Sequence, residues 1–287
     1  MAHVAVVTDS TASLPPEVAK EHDITVVPLQ LVIGSDSYDD GVDPAASPAH
    51  VAEALREFRP VSTSRPAPQL MLETYDALAV EGATEIVSVH LSSDMSATYE
   101  SALLAARRAR VPVRTVDTRQ VGAGTGYAAL TAARAVAAGA DAEEAARAAR
   151  RRADSTVSLF YVATLEYLRR GGRVGAAAAL VGSALAVKPI LALEDGRVVT
   201  REKVRTSSRA IARLEELAAR AAGVRDAEVT VCHLDSSPQA EALAERLTGR
   251  LGDRLVGGIH IDEVGAVIGA HVGPGLLGVV VSPVLAD

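Results

Sequence analysis

The hydrophobic pattern changes character about halfway along the chain. Up to residue 154, short apolar runs alternate with stretches whose apolar positions recur every three or four residues. The run His3–Thr8 predicts a buried strand. A helix is expected from about Ser13, with Pro15 and Pro16 in its first turn, where a missing N–H costs nothing. Ile24–Ile33, Glu85–Val89 and Val113–Val116 predict further strands, the last ending at Asp117-Thr118. Helices are expected over Pro44–Phe58, from Pro68 to before Gly82, over Ser96–Arg110, and over 123–138 and 142–152. Asp141 and Glu144 make a capping-box-like pair ahead of the last. Gly34–Asp43 reads as turn-rich, and Ser62-Thr63-Ser64 reads as a loop. Strand–helix alternation of this kind builds parallel βαβ units and a doubly wound sheet.

After residue 154 the order is different. Strand Val157–Val162 and short helices around 165–186 lead to Pro189–Leu193 and Arg197–Val204, whose intervening Asp195-Gly196 predicts a β-hairpin. Helix 208–222, strand 228–234, helix 237–250 and strands 255–261 and 276–282 follow. The expected fold is α/β with two domains: 1–154, doubly wound and mostly parallel, and 155–287, a mixed α+β sheet domain.

Composition narrows the function. Of 287 residues, 48% are hydrophobic but only 3% aromatic, so any apolar pocket has mainly aliphatic walls. A net charge of −7 argues against nucleic acid as a partner. The arginine groups at 107, 108 and 110 and at 147 and 150–152 fall in expected helices and read as solvated faces. Cys232 is alone, which leaves no disulfide framework or thiolate metal site and fits a reducing cytoplasm. No basic leader precedes the first strand. The apolar stretches 174–193 and 264–286 are interrupted by glycines and by Ser183, Lys188, His271 and Pro274, so neither reads as a spanning helix. A soluble cytoplasmic protein without stable membrane insertion is expected.

Candidate chemistry gathers near strand ends, where open α/β sheets bind ligands. Asp9-Ser10-Thr11, Ser62-Thr63-Ser64, and Ser92-Ser93 with Ser96 are hydroxyl clusters, suited to capping helices or to holding an anion. Gly122 to Tyr127 resembles a nucleotide loop, but Tyr127 occupies the last glycine position. There is no Walker lysine, nucleophile elbow or paired-histidine zinc motif. His260, Asp262 and Glu263 are better explained by strand alternation than by a metal. From Gly265 to Gly275 the glycines are dense enough for close backbone approach or for tight turns, and His271 among them could donate to an anion. On their own these residues define at most an anion site.

Read in order, several segments resemble the DegV family of bacterial fatty-acid-binding proteins. They are Val7–Thr11, Thr63–Pro68, Leu91–Ser101, Leu165–Gly175, Lys188–Ile190, Val204–Thr206 and Gly269–Gly275, spanning nearly the whole chain. Ala97 stands where the family usually has Gly, and Ala67 where it usually has Ser. The resemblance implies two α/β domains and a buried long-chain fatty acid, with no other cofactor or metal. Its carboxylate would be held by Thr63, Ser93 and His271, with Ser92 a lesser candidate. It also implies the acyl-carrier half of a fatty acid kinase, whose separate ATP-dependent subunit phosphorylates the carboxylate. Arg170, Arg173, Lys203 and Arg205 would then dock that partner or steady the phosphoryl charge. The competing expectations are an acyl hydrolase or transferase with Ser93 as nucleophile and His271 as base, or a sensor of another small anion.

Overall fold

A computed structural model describes residues 3–180 and 187–284. In chain order, β1 (Val4–Asp9) runs through a 3-10 turn to α1 (Pro16–Glu21), then β2 (Ile24–Val27), β3 (Gln30–Ile33) and β4 (Asp36–Asp39). There follow α2 (Pro48–Arg56), β5 (Val61–Ser64), α3 (Pro68–Val80), β6 (Glu85–His90), α4 (Thr98–Ala106), β7 (Val113–Asp117), α5 (Ala123–Ala137) and α6 (Ala142–Ser155). Then come β8 (Val157–Tyr161), α7 (Glu166–Arg170), a 3-10 turn over Gly175–Leu180, β9 (Lys188–Glu194), β10 (Arg197–Val204) and α8 (Ser207–Ala222). The chain closes with β11 (Ala227–Leu234), α9 (Ser237–Leu251), β12 (Leu255–Glu263), α10 (Ala266–Val272) and β13 (Leu276–Pro283). Of the helices expected around 165–186, the part over 181–186 lies outside the described residues.

Two compact units result, one from residues 1–30 and 64–154, the other from 31–63 and 155–287. In the first, the sheet order is β2-β1-β6-β7, every pair parallel. All six residues of β1 are buried, which is why its sequence runs apolar without alternation. Val4, Val6, Val87 and Val89 pack with α5 and α6, whereas Ala5, Val7 and Ile86 face Met71, Leu72 and Tyr75 of α3 and Ala105 of α4. Helices on both faces make the unit doubly wound. The expected capping pair forms reciprocally: Asp141 N donates to Glu144 Oε2 at 3.2 Å, and Glu144 N to Asp141 Oδ1 at 2.8 Å. The Gly122–Tyr127 motif proves to be a packing site. A Cβ on Gly126 would overlap the Ala12 carbonyl, so glycine there lets α5 approach the turn after β1.

The second unit is a mixed six-stranded sheet, β10-β9-β8-β13-β11-β12, antiparallel except for β11 with β12. Asp195 and Gly196, at φ 49° and 80°, form the left-handed two-residue turn that closes the β9–β10 hairpin. Leu214 of α8 and Leu243 and Leu247 of α9 cover one sheet face, against Ile190, Val229, Val231 and Val279.

Residues 31–63 depart from the expected unbroken first domain over 1–154. The run Ile24–Ile33, expected as one strand, is two, interrupted at Pro28, which has no N–H to give a sheet. Thereafter β3 pairs with β4 and β5 in a separate three-stranded sheet. The turn-rich stretch contains β4, and Ser62-Thr63-Ser64 is strand rather than loop. Three links tie this segment to the rest of the second unit, residues 155–287. Buried Asp40 accepts from Ala266 N at 3.1 Å, Arg56 pairs with Asp235, and Val51 of α2 packs against Gly269 of α10.

Candidate functional site

His271 sits in the last turn of α10, a helix where the glycine density suggested turns. Its apolar positions Ala266, Val267, Ala270 and Val272 are buried, and Asp40 caps its start. Thr63, on β5, places Oγ1 2.8 Å from His271 Nε2. The other ring nitrogen, Nδ1, is buried and has no hydrogen-bond partner among the described residues. Burial, with the nearby Arg173 charge adding to it, pushes the imidazole pKa down to about 4, so the ring is neutral near pH 7. A neutral ring carries one proton. Putting it on Nδ1 would bury an unpaired N–H, so Nε2–H donating to Thr63 Oγ1 is the favoured form. Thr63 then keeps its own proton to give to an acceptor.

Ser92 and Ser93 lie in the first unit, just past β6, and the structure separates them. Ser92 is fully buried; its N donates to Gln120 O at 2.8 Å and its Oγ accepts from Asp94 N at 3.2 Å. It shapes the loop. Ser93 is exposed, and its Oγ donates to Asp117 Oδ2 at 2.6 Å. Sequence reasoning missed Asp117 as a partner, although it ends β7, the strand beside β6. Ser93 binds an anion through Oγ only after turning its proton away from Asp117, because a carboxylate accepts and never donates when ionised. The hydrolase expectation fares badly on the same facts: Ser93 gives its proton to Asp117, and His271 Nε2 is engaged by Thr63.

The first unit does contain a Ser–His–Asp chain, but it is sealed. Tyr75 Oη lies 2.8 Å from Ser88 Oγ, Ser88 Oγ 2.7 Å from His90 Nε2, and His90 Nδ1 2.9 Å from Asp9 Oδ2. Asp9 Oδ1 also accepts from Thr11 N at 3.1 Å, and Oδ2 from Leu91 N at 3.2 Å. All four linked side chains are fully buried, so no substrate reaches Ser88.

The four basic candidates divide. Arg173 is half-buried beside His271, and its guanidinium donates to the Gly171 carbonyl. Arg170 is exposed and held by Glu166 at 2.8 Å, alongside Arg169; those two guanidinium groups hold the Glu166 carboxyl down at about 2. Lys203 and Arg205 stand exposed on and just beyond β10, an edge strand, with no side-chain partner among the described residues. Burial, with Asp262 nearby, pushes the Cys232 thiol up to about 12, which disfavours the thiolate. Among the described residues no His, Cys, Asp and Glu group could hold a metal, and no helix is long and apolar enough to cross a membrane.

Fold and site define an α/β protein of two units, one parallel and doubly wound, the other carrying a neutral histidine on a threonine hydroxyl. A family model described as uncharacterised protein, DegV family, matches residues 3–284. The chain belongs to the DegV family. It is 54% identical over 280 residues to a DegV domain-containing protein of Streptomyces coelicolor, covering 98% of each. Two solved structures share the fold at TM-score 0.90 and 30% identity. One is a fatty-acid-binding DegV family protein from Thermus thermophilus, matched over 98% of this chain and 100% of that one. The other is DegV, a fatty acid binding protein from Bacillus subtilis, matched over 99% and 100%.

Proposed function

We propose that this protein binds a long-chain fatty acid, with Thr63, His271 and Ser93 as the carboxylate ligands. The neutral His271–Thr63 pair carries the proposal, because it leaves a hydroxyl proton for a carboxylate oxygen without a strong ion pair. Fatty-acid binding by two solved relatives of the same fold supports it. Acyl burial provides ~0.8 kcal/mol per methylene, on the order of 10 kcal/mol gross for roughly a dozen. The head group must still be satisfied, since an unpaired buried anion is very costly.

As a carrier the protein would present the carboxylate to a separate ATP-dependent kinase subunit, which supplies the catalysis for acyl-phosphate formation. Arg170, Arg173, Lys203 and Arg205 are the cations for that encounter, three of them exposed and Arg173 half-buried beside His271.

Mass spectrometry of organic extracts from purified protein should find a co-purifying fatty acid. Thr63→Val with Ser93→Ala should weaken palmitate binding at least tenfold while the protein stays folded. An empty protein that also refuses palmitate overturns fatty-acid binding; unchanged affinity in the double variant moves the head group elsewhere. Turnover of activated acyl esters with labelling of Ser93 by a phosphonate would instead favour the hydrolase.

A further inference from the structure

Two neighbouring glycines in the Arg169–Arg173 stretch are required for different reasons. Gly172 has φ +72°, and nothing lies within 4 Å of where a Cβ would stand. Backbone conformation explains that glycine completely. Gly171 has φ −73° and ψ −9°, ordinary helical values that any residue adopts. Its backbone asks for no glycine. A Cβ at 171, however, would overlap His271 Nδ1 and stand 3.0 Å from Cε1. We infer that Gly171 is a positioning residue for His271: the missing side chain at 171 is what lets the imidazole lie flat enough to reach Thr63.

The two backbones that meet at this contact are each held in place. The α10 backbone is fixed at its start by Asp40 and at its end by Gly273, where a Cβ would overlap the Tyr167 ring. The Gly171 peptide is fixed too: its N donates to Tyr167 O at 2.9 Å, and its carbonyl is taken by Arg173. With both backbones pinned, an added methyl must be accommodated by rotation of His271 away from Thr63. Nδ1 faces Gly171 without a partner, which is the cost of seating Nε2 on the hydroxyl. The functional weight of this inference rests on the proposed head-group role of His271; its structural content does not.

Nitrogen-15 NMR on ligand-free protein separates the two. In wild type, His271 should be neutral and protonated at Nε2 down to a pKa of about 4. In Gly171→Ala its pKa should rise toward the ordinary 6.5 and its Nε2 shift should change, whereas Gly172→Ala should lose stability but leave both readouts in place. Palmitate affinity should fall about tenfold in Gly171→Ala, with no further loss when Gly171→Ala is added to His271→Ala. A folded Gly171→Ala protein with wild-type His271 signals overturns the inference. Should Gly171→Ala fail to fold, Gly171→Ala with His271→Ala must recover the stability of His271→Ala alone; no recovery also overturns it. A wild type with the expected imidazole but no affinity for palmitate would overturn the fatty-acid proposal and leave Gly171 in its role.

Discussion

His90 in the first unit and His271 in the second are both largely removed from water, yet their hydrogen bonding differs. His90 has a partner on each ring nitrogen and belongs to a chain running from Asp9 to Tyr75. His271 has one partner and a bare Nδ1. A buried polar chain with every member satisfied rigidifies the fold around it. A buried imidazole with one nitrogen unpaired carries a standing cost, and such costs persist where they serve a site. Resemblance to a catalytic triad is therefore the weaker guide here: the Ser–His–Asp series is structural, and the shorter Thr–His pair is the candidate for ligand binding.

The largest test of the contrast falls on the satisfied chain. Asp9→Ala strips acceptors from Thr11 N, His90 Nδ1 and Leu91 N at once, and should destabilise the protein by about 3–5 kcal/mol. Urea unfolding reads this as a lower midpoint at similar slope; a loss under 1 kcal/mol would break the contrast. Acid tests the unsatisfied side with a smaller effect. The folded His271 pKa lies near 4 and the unfolded one near 6.5, so between them the unfolded chain binds a proton that the folded chain refuses. The His271 contribution is complete above pH 6.5 and is lost as pH falls toward 4, by at most about 1.4 kcal/mol per pH unit. Parallel stability profiles for wild type and His271→Gln between pH 7 and 5 would contradict it. Smallest of all, Glu166→Gln should leave the thermal midpoint unchanged, since Glu166 and both its arginines sit in water.

Most of the architecture was legible because each unit's core follows local periods. The β1 run, the α5 and α8 stripes and the Asp195-Gly196 hairpin each state their conformation within a dozen residues. The errors fell where distant partners decide. Ile24–Ile33 is apolar but for Thr25 and Gln30, and Pro28 alone breaks the strand-like run where one sheet gives way to another. Val61–Ser64 is too polar to announce a strand, and becomes one because β3 pairs with it. At the candidate site, Thr63 and His271 were each visible as possible anion contacts, but only the family resemblance joined them, since no spacing rule links residues 208 apart. The serine pair could not be resolved without Asp117 and Gln120, which fix one hydroxyl outward and bury the other. That Arg173 is half-buried and lies near His271 could not be read from sequence, because the histidine belongs to a distant element.

The second unit's assembly from 31–63 and 155–287 has a consequence for the order of events during synthesis. Residues 1–30 and 64–154 can complete the first unit while later codons are still being read, domains generally folding as they emerge. The strand bearing Thr63 leaves the ribosome early, but α10 is among the last elements made. Loop closure over such a span is slow, and the early segment must wait with its apolar face uncovered. A chain released before residue 271 would hold a finished parallel sheet and no Thr63–His271 pair. Any contact that needs both side chains would then be missing from such a chain, whatever the state of its parallel sheet.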